Sequence, residues 1–404
     1  MLKPDLDYMI KIRRELHMYP EIDFDLPRTV ALIKRELTDM GIPHTDKYGK
    51  GSVVGYINPS NSNFTIGVRA DIDALKITEQ TGVEYTSRNE GLMHACGHDA
   101  HAAVLLGTAK MLKTIENQLG CRVKLVFQPS EEGIKSGAAM MIENGVLNDV
   151  DIMLALHVEG KIPCGKLGVC PGYAQASSRH FKVEIEGKSA HAASPHTGID
   201  ALAIAFRMYS AIQLIVSREI DPKDQYLCSI GKLDAGTTQN VVADHALMLG
   251  TIRAYKDEVS KYIFDRICKI GDSLSNETGA KITAVGPVKS KCVYNNPALS
   301  EIVLTSLVNV VGEDNIVPVL PRMGSEDFSH FGTNVPAVLF RLGTQNIDKG
   351  IDSVVHNSDF NIDEDSLAFG ASAFAQFVID NQNGSDMEKL YNSDERENIK
   401  FIHR

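Results

Sequence analysis

Phe64-Thr65-Ile66-Gly67-Val68-Arg69-Ala70-Asp71-Ile72-Asp73 is an apolar run that turns into a charged one. The first half reads as a buried strand, and the second half sets an arginine and two acids at its carboxyl end. The pattern recurs along the chain. Ser52–Ile57, Val123–Phe127 and Ile152–Leu156 read as further strands, with Ala102–Leu112 and Ala138–Ile142 as helices between them. Glu131-Glu132 follows the Val123 strand and His157 follows the Ile152 strand. Such alternation predicts an α/β sheet, mixed and mostly parallel, flanked by helices. In sheets of this kind ligands bind at the carboxyl ends of the strands, so these residues are expected to converge.

Outward from this core the texture changes twice. Upstream, Leu6, Met9, Ile10 and Leu16 share one helical face; Val30, Ile33, Leu37 and Met40 share another, which Gly41 stops. Downstream, strands at Phe181–Ile185, Tyr226–Leu233, Ala246–Arg253 and Lys281–Val285 enclose helices at Ile199–Val216 and Val259–Leu274. A strand-helix-strand-strand-helix-strand order predicts a ferredoxin-like α+β module. The α/β pattern resumes with Leu299–Val311, Ala337–Arg341 and Ser366–Val378. The expected organisation is therefore a discontinuous domain, 1–176 and 289–404, interrupted by a module over 177–288. The tail from Asn381 is polar and expected to be solvated.

Composition narrows the function classes. A net charge of −11 on 404 residues, with no basic run, argues against nucleic acid as a partner. With no apolar leader at Met1 and no stretch near the roughly 20 residues of a membrane span, a cytoplasmic protein acting on small molecules is expected. Seven cysteines without CxxC spacing suggest free thiols.

Met93-His94-Ala95-Cys96-Gly97-His98-Asp99-Ala100-His101 is the densest group of metal-ligand types in the chain. Cys96 and His98, two apart around a flexible Gly97, suit a zinc-like ion. His94, Asp99 and His101 read equally well as capping or packing residues. Glu131-Glu132 offers two carboxylates on a turn, where neighbouring side chains diverge. One acid can hold a metal while the other takes the proton of an attacking water and returns it to a leaving nitrogen. Alone, the pair also reads as a solvated surface turn, and His157 and His356 as hydrogen-bonded core histidines. Ser325-Glu326-Asp327-Phe328 reads as a helix cap.

Taken in order, Gly67–Leu75, His94–His101, Gln128–Gly133, Ser189–His196, Gly324–Phe328 and His356-Asn357 resemble the signatures of the metal-dependent amidohydrolases. This group, of hippurate, indole-acetyl-amino-acid and N-acetyl-amino-acid hydrolases, lies within the aminoacylase and carboxypeptidase family. The resemblance spans about residues 5 to 380. It implies that Cys96, His98, Glu132, His157 and His356 hold two divalent ions, zinc or manganese, with Cys96 between them. Glu131 is then the general acid/base and Asp71 orients a ligand. The inserted module becomes a lid and dimerisation domain of a homodimer, from which His191 reaches the scissile carbonyl. Asn240 and Arg253 become candidates for the substrate carboxylate, although a surface ion pair would equally explain Arg253. Lys76 departs from the proline common at its position but touches no implied ligand. The implied reaction is hydrolysis of an N-acyl amino acid. A dipeptidase or carboxypeptidase on the same scaffold is the nearest alternative, and a catalytically silent metal-binding scaffold a more distant one.

Overall fold

The computed structural model describes residues 2–61, 64–384 and 390, and divides the chain into two compact units. Gln175–Val293 together with Arg322–Glu326 make the second unit, and the flanking chain makes the first. The insertion thus begins two residues earlier and ends five later than 177–288, and it also takes in a short downstream loop. That loop joins because the Ala176 N–H donates to the carbonyls of Arg322 and Gly324, at 3.0 and 2.9 Å. Such a contact has no local signature in the sequence.

In the first unit, a seven-stranded sheet runs His44–Thr45, Val53–Ile57, Arg122–Gln128, Thr65–Asp71, Ile152–Pro163, Ala337–Gln345 and Leu167–Val169 in spatial order. The four central strands pair in parallel and the edges are antiparallel. Every residue of Thr65–Asp71 is buried; the apolar stretch up to Val68 predicts this for the first half, and the strand runs on through Arg69 and Asp71, which the sequence pattern places after it. Against this strand lies the His98–Lys113 helix, rich in alanine and buried on nearly every side between the Leu6–Met18 and Ser366–Asn381 helices. It starts at Gly97, whose φ of +81° favours glycine, and a Cβ there would stand 2.4 Å from Val158 Cγ2.

The strand register corrects the placement of His157. It does not end its strand: Ile152–Pro163 continues six residues further. Because Arg69 pairs with Ala155, His157 lies level with Asp71, where the neighbouring strand stops. The longer strand simply passes through the carboxyl edge of its neighbours.

The second unit contains a sheet in the spatial order Lys281–Val285, Ser177–Glu186, His245–Ala254, Tyr226–Ala235, with antiparallel pairings and Val288–Ser290 added at the edge. This is the ferredoxin-like order. Phe181, Val183, Ile185, Met248 and Ile252 pack against Ile204, Met208, Ile212, Ile263 and Ile267 of the Ala201–Arg218 and Asp257–Thr278 helices. The Ala201–Arg218 helix is long and apolar enough to cross a membrane by length and composition, contrary to the expectation from sequence. Here one face covers the sheet, while Leu202, Phe206 and Tyr209 form an outward stripe at i, i+4 and i+7, with Phe206 70% exposed.

A buried charge network ties the first helix to the one that starts at His98. Arg13 Nε donates to Asp99 Oδ2 at 2.9 Å, and His17 Nδ1 lies 2.7 Å from the same oxygen. Arg13, His17 and Asp99 are each about 1% exposed. Arg13→Ala leaves Asp99 without its guanidinium in the interior, and we expect a loss of about 3–5 kcal/mol in chemical denaturation. Removing the solvent-exposed Arg207–Glu277 pair should leave the unfolding midpoint unchanged. Equal midpoints for both variants would show that the buried network contributes no more than a surface pair.

Candidate active site

The residues at the carboxyl edge of the sheet meet in one cluster. Ligand atoms of Cys96, His98 and His157 lie within 4.8 Å of one another, as do those of Cys96, Glu132 and His356, and those of His98, Glu131 and Glu132. Cys96 belongs to two of these groups, so its sulfur stands between two sets of donors. Glu131 and Glu132 diverge less than a turn predicts, since an oxygen of each belongs to the His98 group.

Two of the candidate histidines are held by their other nitrogen. His157 Nδ1 lies 2.7 Å from the Val158 carbonyl and His98 Nδ1 lies 2.8 Å from the Asp73 carbonyl. A carbonyl only accepts, so Nδ1 carries the proton in both rings and Nε2 is turned to the cluster. His157 Nε2 is 3.4 Å from Cys96 Sγ. Burial, with His101 and Arg341 nearby, keeps the His157 pKa well below the usual histidine range, so the ring is neutral and able to ligate. His98 Nε2 is buried with no hydrogen-bond partner among the described residues, 3.4 Å from Asp71 Oδ2. Burial opposes its charge, yet Asp71 and Cys96 outweigh that and raise its pKa.

His356 arrives from a distant loop in a left-handed backbone conformation, φ +69°. Its N–H donates to the Ala95 carbonyl at 2.7 Å, which joins its loop to the one bearing Cys96. Its Nε2 lies 3.1 Å from Glu132 Oε1.

Asp71 is wholly buried. It pairs with Arg69 Nη1 at 2.8 Å and with His101 Nδ1 at 2.5 Å. His101 Nε2 accepts from the Val158 N–H at 3.0 Å, so both ring nitrogens are engaged away from the cluster. His94 is buried against His17, and burial lowers its pKa to about 3. Asp99 belongs to the Arg13 network. These three members of the nine-residue stretch support the site.

Asp73 and Asp327 have parts that the sequence reading did not give them. The Asp73 carboxylate accepts the N–H groups of Glu131 and Glu132, at 3.0 and 3.1 Å, and so fixes the turn that presents both acids. The preceding residue, Ser130, has φ +52°. The Asp-x-Asp spacing was the available signal, because residues two apart leave a strand end on the same side. Asp327 does cap a helix, accepting from Ser136 Oγ at 2.6 Å and the Ala138 N–H at 3.2 Å. It also pairs with Arg69 Nη2 at 3.0 Å, and its own N–H donates to Glu131 Oε1 at 3.4 Å.

The donor set fits divalent metal. Burial first, and then the Glu132 carboxylate, hold the Cys96 thiol well above its usual pKa, so a thiolate there requires a compensating cation. Thiolate, imidazole and carboxylate oriented by outer hydrogen bonds are suitable ligands.

The remaining candidates lie in the second unit. His191 is exposed; its Nδ1 accepts from the Ala193 N–H at 3.1 Å, which leaves the Nε2 proton of the neutral ring free to donate. The Asn240 carbonyl accepts from the Ala192 N–H at 3.0 Å, so the structure brings Asn240 beside His191. Arg253 is half-buried elsewhere on the sheet and has no carboxylate partner among the described residues, which removes the ion-pair reading.

A parallel sheet whose carboxyl edge gathers this donor set around a positioned carboxylate defines a metal-dependent hydrolase. Comparison with known proteins gives the family. Residues 67–380 match peptidase family M20/M25/M40, and the chain belongs to it. It is 36% identical to thermostable carboxypeptidase 1 of Saccharolobus solfataricus, over 92% of this chain and 95% of that one. It is 35% identical to N-acetyl-L-cysteine deacetylase of Bacillus subtilis, over 89% and 84%. A Bacillus subtilis structure described as a dinuclear metal-binding peptidase superposes with TM-score 0.78 at 30% identity, covering 93% and 97%. The chain is a metal-dependent hydrolase of amide or peptide bonds.

Asp73→Asn keeps the size of the clamp but has a single acceptor oxygen, so its NH2 faces one of the Glu131 and Glu132 N–H groups and that bond is lost. Metal affinity or kcat should fall about 10- to 100-fold. Wild-type metal content together with wild-type kcat would show that the clamp is dispensable.

Proposed function

We propose that the protein cleaves the amide bond of N-acyl amino acids or related small conjugates, releasing a carboxylic acid and an amino acid. The observation that carries this reading is Glu131, a carboxylate held by the Asp327 N–H within reach of the ligand cluster. A protein that only bound metal would have no use for that placement. Cys96, His98, Glu132, His157 and His356 would hold two divalent ions, zinc or manganese. Such ions, when bound, polarise an amide carbonyl and acidify water. Glu131 takes the proton from the attacking water and delivers it to the leaving nitrogen. His191 donates from Nε2 to the developing oxyanion. Asn240 and Arg253 hold the substrate carboxylate.

The name of the deacetylase relative supports an acyl substrate, and that of the carboxypeptidase relative favours a second reading, hydrolysis of peptides from the carboxyl end. The two differ in whether the group on the scissile nitrogen's acyl side carries a free amine. Rates on N-acetyl-amino acids and on dipeptides, measured side by side with zinc and with manganese, decide between them. Faster turnover of dipeptides would favour the second.

The stripe of Leu202, Phe206 and Tyr209 supports a homodimer through the inserted unit, with His191 acting across it. Phe206→Glu should shift sedimentation from dimer to monomer, and an unchanged mass would remove this face from the interface.

Glu131→Gln should retain wild-type metal content by elemental analysis while kcat falls by about 10²–10⁴-fold, the usual worth of general acid/base catalysis. Substantial remaining activity would refute its role. Cys96→Ala should lose at least one ion per chain. Mixing His191→Ala with Glu131→Gln subunits should restore activity in verified heterodimers if His191 acts across the dimer.

A further inference from the structure

Between Asp73 and Cys96 the chain leaves the sheet in a long loop that closes on itself: Leu75 and Met93 exchange backbone hydrogen bonds at 3.0 Å, with residues 76–92 between them. Its conformation is fixed from inside. The Glu79 carboxylate accepts from the Ser87 N–H at 2.7 Å and from Thr81 Oγ1, and it meets His17 Nε2 at 3.2 Å. The Gln80 N–H donates to the Ser358 carbonyl at 2.7 Å, so the loop is also tied to the segment that carries His356. Between loop and segment lies a cavity of about 630 Å³, lined by Gln80 and Val83 on one side and by Asn357 and Asn361 on the other. Sites for small organic ligands span roughly 300–1,000 Å³. All of its walls belong to the first unit, and Asn357 directly follows the candidate ligand His356.

The lining holds two lysines and two aspartates, so its charges balance. Lys161 donates to Asp352 Oδ1 at 3.0 Å, Lys349 donates to Asp363 and Asp365 at 2.7 and 2.9 Å, and Asp359 accepts from Ser353 Oγ at 2.6 Å. Each charged side chain is engaged within the protein, and none calls for an ion. What is left over is carboxamide. The Gln80 side chain is exposed and has no hydrogen-bond partner among the described residues, and that of Asn357 has only a 3.5 Å approach to Ser353 Oγ. Asn361 uses its oxygen on Arg13 Nη2, Tyr85 Oη and the Ile362 N–H, which leaves its NH2 group to the cavity. A carboxamide offers a donor and an acceptor side by side, and its natural counterpart is another amide, a group that an amide hydrolase meets in its substrates. With the amino-acid half of the substrate assigned to Asn240 and Arg253, the acyl half is what a cavity of the first unit can take. We propose that this cavity receives the acyl half, and that the Gln80 carboxamide selects acyl groups carrying an amide of their own over simple aliphatic ones. The catalytic consequence rests on the hydrolase reading above, whereas binding in the cavity does not.

The test uses two matched acyl groups, N-acetylglycyl and pentanoyl, which have the same chain length and differ by an amide in place of two methylenes. With zinc and, separately, manganese supplied to the full-length protein, kcat/KM for release of leucine from N-acetylglycyl-L-leucine should exceed that from N-pentanoyl-L-leucine by about fivefold, the worth of one net hydrogen bond. Gln80→Met keeps the length of the side chain without its donor and acceptor, and should bring the ratio to about one. Calorimetry with the two acids released, N-acetylglycine and pentanoate, reads the cavity without turnover. N-acetylglycine should bind more tightly by a similar factor, and Gln80→Met should abolish the difference. Gln80→Ala serves as a second variant should the first fail to fold. Equal kcat/KM within the substrate pair, a preference for the pentanoyl member, or a preference that neither folded variant changes overturns the proposal. A binding preference that Gln80→Met abolishes, without hydrolysis of any N-acyl amino acid, would instead overturn the hydrolase reading and leave the selectivity of the cavity standing.

Discussion

The Asp73 carboxylate grips two consecutive backbone amides, those of Glu131 and Glu132, and the rest of the site depends on that grip. Its own backbone carbonyl holds His98 Nδ1, so one residue sets the direction of a candidate ligand from the first helix of the stretch and of two acids from the next strand's turn. Burial raises the Asp73 pKa, while His98 and the Glu131 amide pull the other way. A carboxylate that accepts two N–H groups fixes the backbone, not merely a side chain. Both acids can then be placed at the cluster without either one being used as the anchor.

A second layer of buried charge stiffens this arrangement from below. Arg69 spans Asp71, Asp327 and Gln128, the last at 2.8 Å. Through Asp327 it reaches the Glu131 carboxylate and the start of the Gly137–Glu143 helix. Through Asp71 it reaches His101, whose far nitrogen takes the Val158 N–H next to His157. The guanidinium is about 1% exposed and would be costly there without its acids, just as the acids would be without it. Orientation of the candidate ligands is thus coupled to the integrity of the sheet itself.

Two of the strained backbone positions lie where the chain turns towards the cluster. Asp23, Asn58, Ser130 and His356 are the non-glycine residues with positive φ among those described. Ser130 precedes the two acids and His356 is a candidate ligand. Such conformations persist only where the surroundings enforce them. At Ser130 these are the Asp73 clamp and the bond from the Gly137 N–H to the Ser130 carbonyl, 3.0 Å; at His356 it is the bond to Ala95.

The sequence by itself determined the elements and the chemistry. The apolar run Phe64–Val68 read as a buried strand, the alternation with helices predicted an α/β sheet, and the strand-helix order after Ser177 predicted a ferredoxin-like unit. Side-chain type marked Cys96, His98 and the Glu131-Glu132 pair as candidates with other readings open, and the resemblance of the ordered motifs to the amidohydrolases added His157 and His356 and gave each a role. Tertiary structure decided what local pattern does not encode. The level of His157 in its strand follows from the register with Thr65–Asp71, and the 322–326 loop joins the second unit through two carbonyls. Asp71 and Asp73 are the same residue type two apart, yet the first meets Arg69 and His101 while the second meets two backbone amides. Periodicity reports which face a residue occupies, but register and loop closure report its neighbours. Those depend on contacts between segments far apart in the chain.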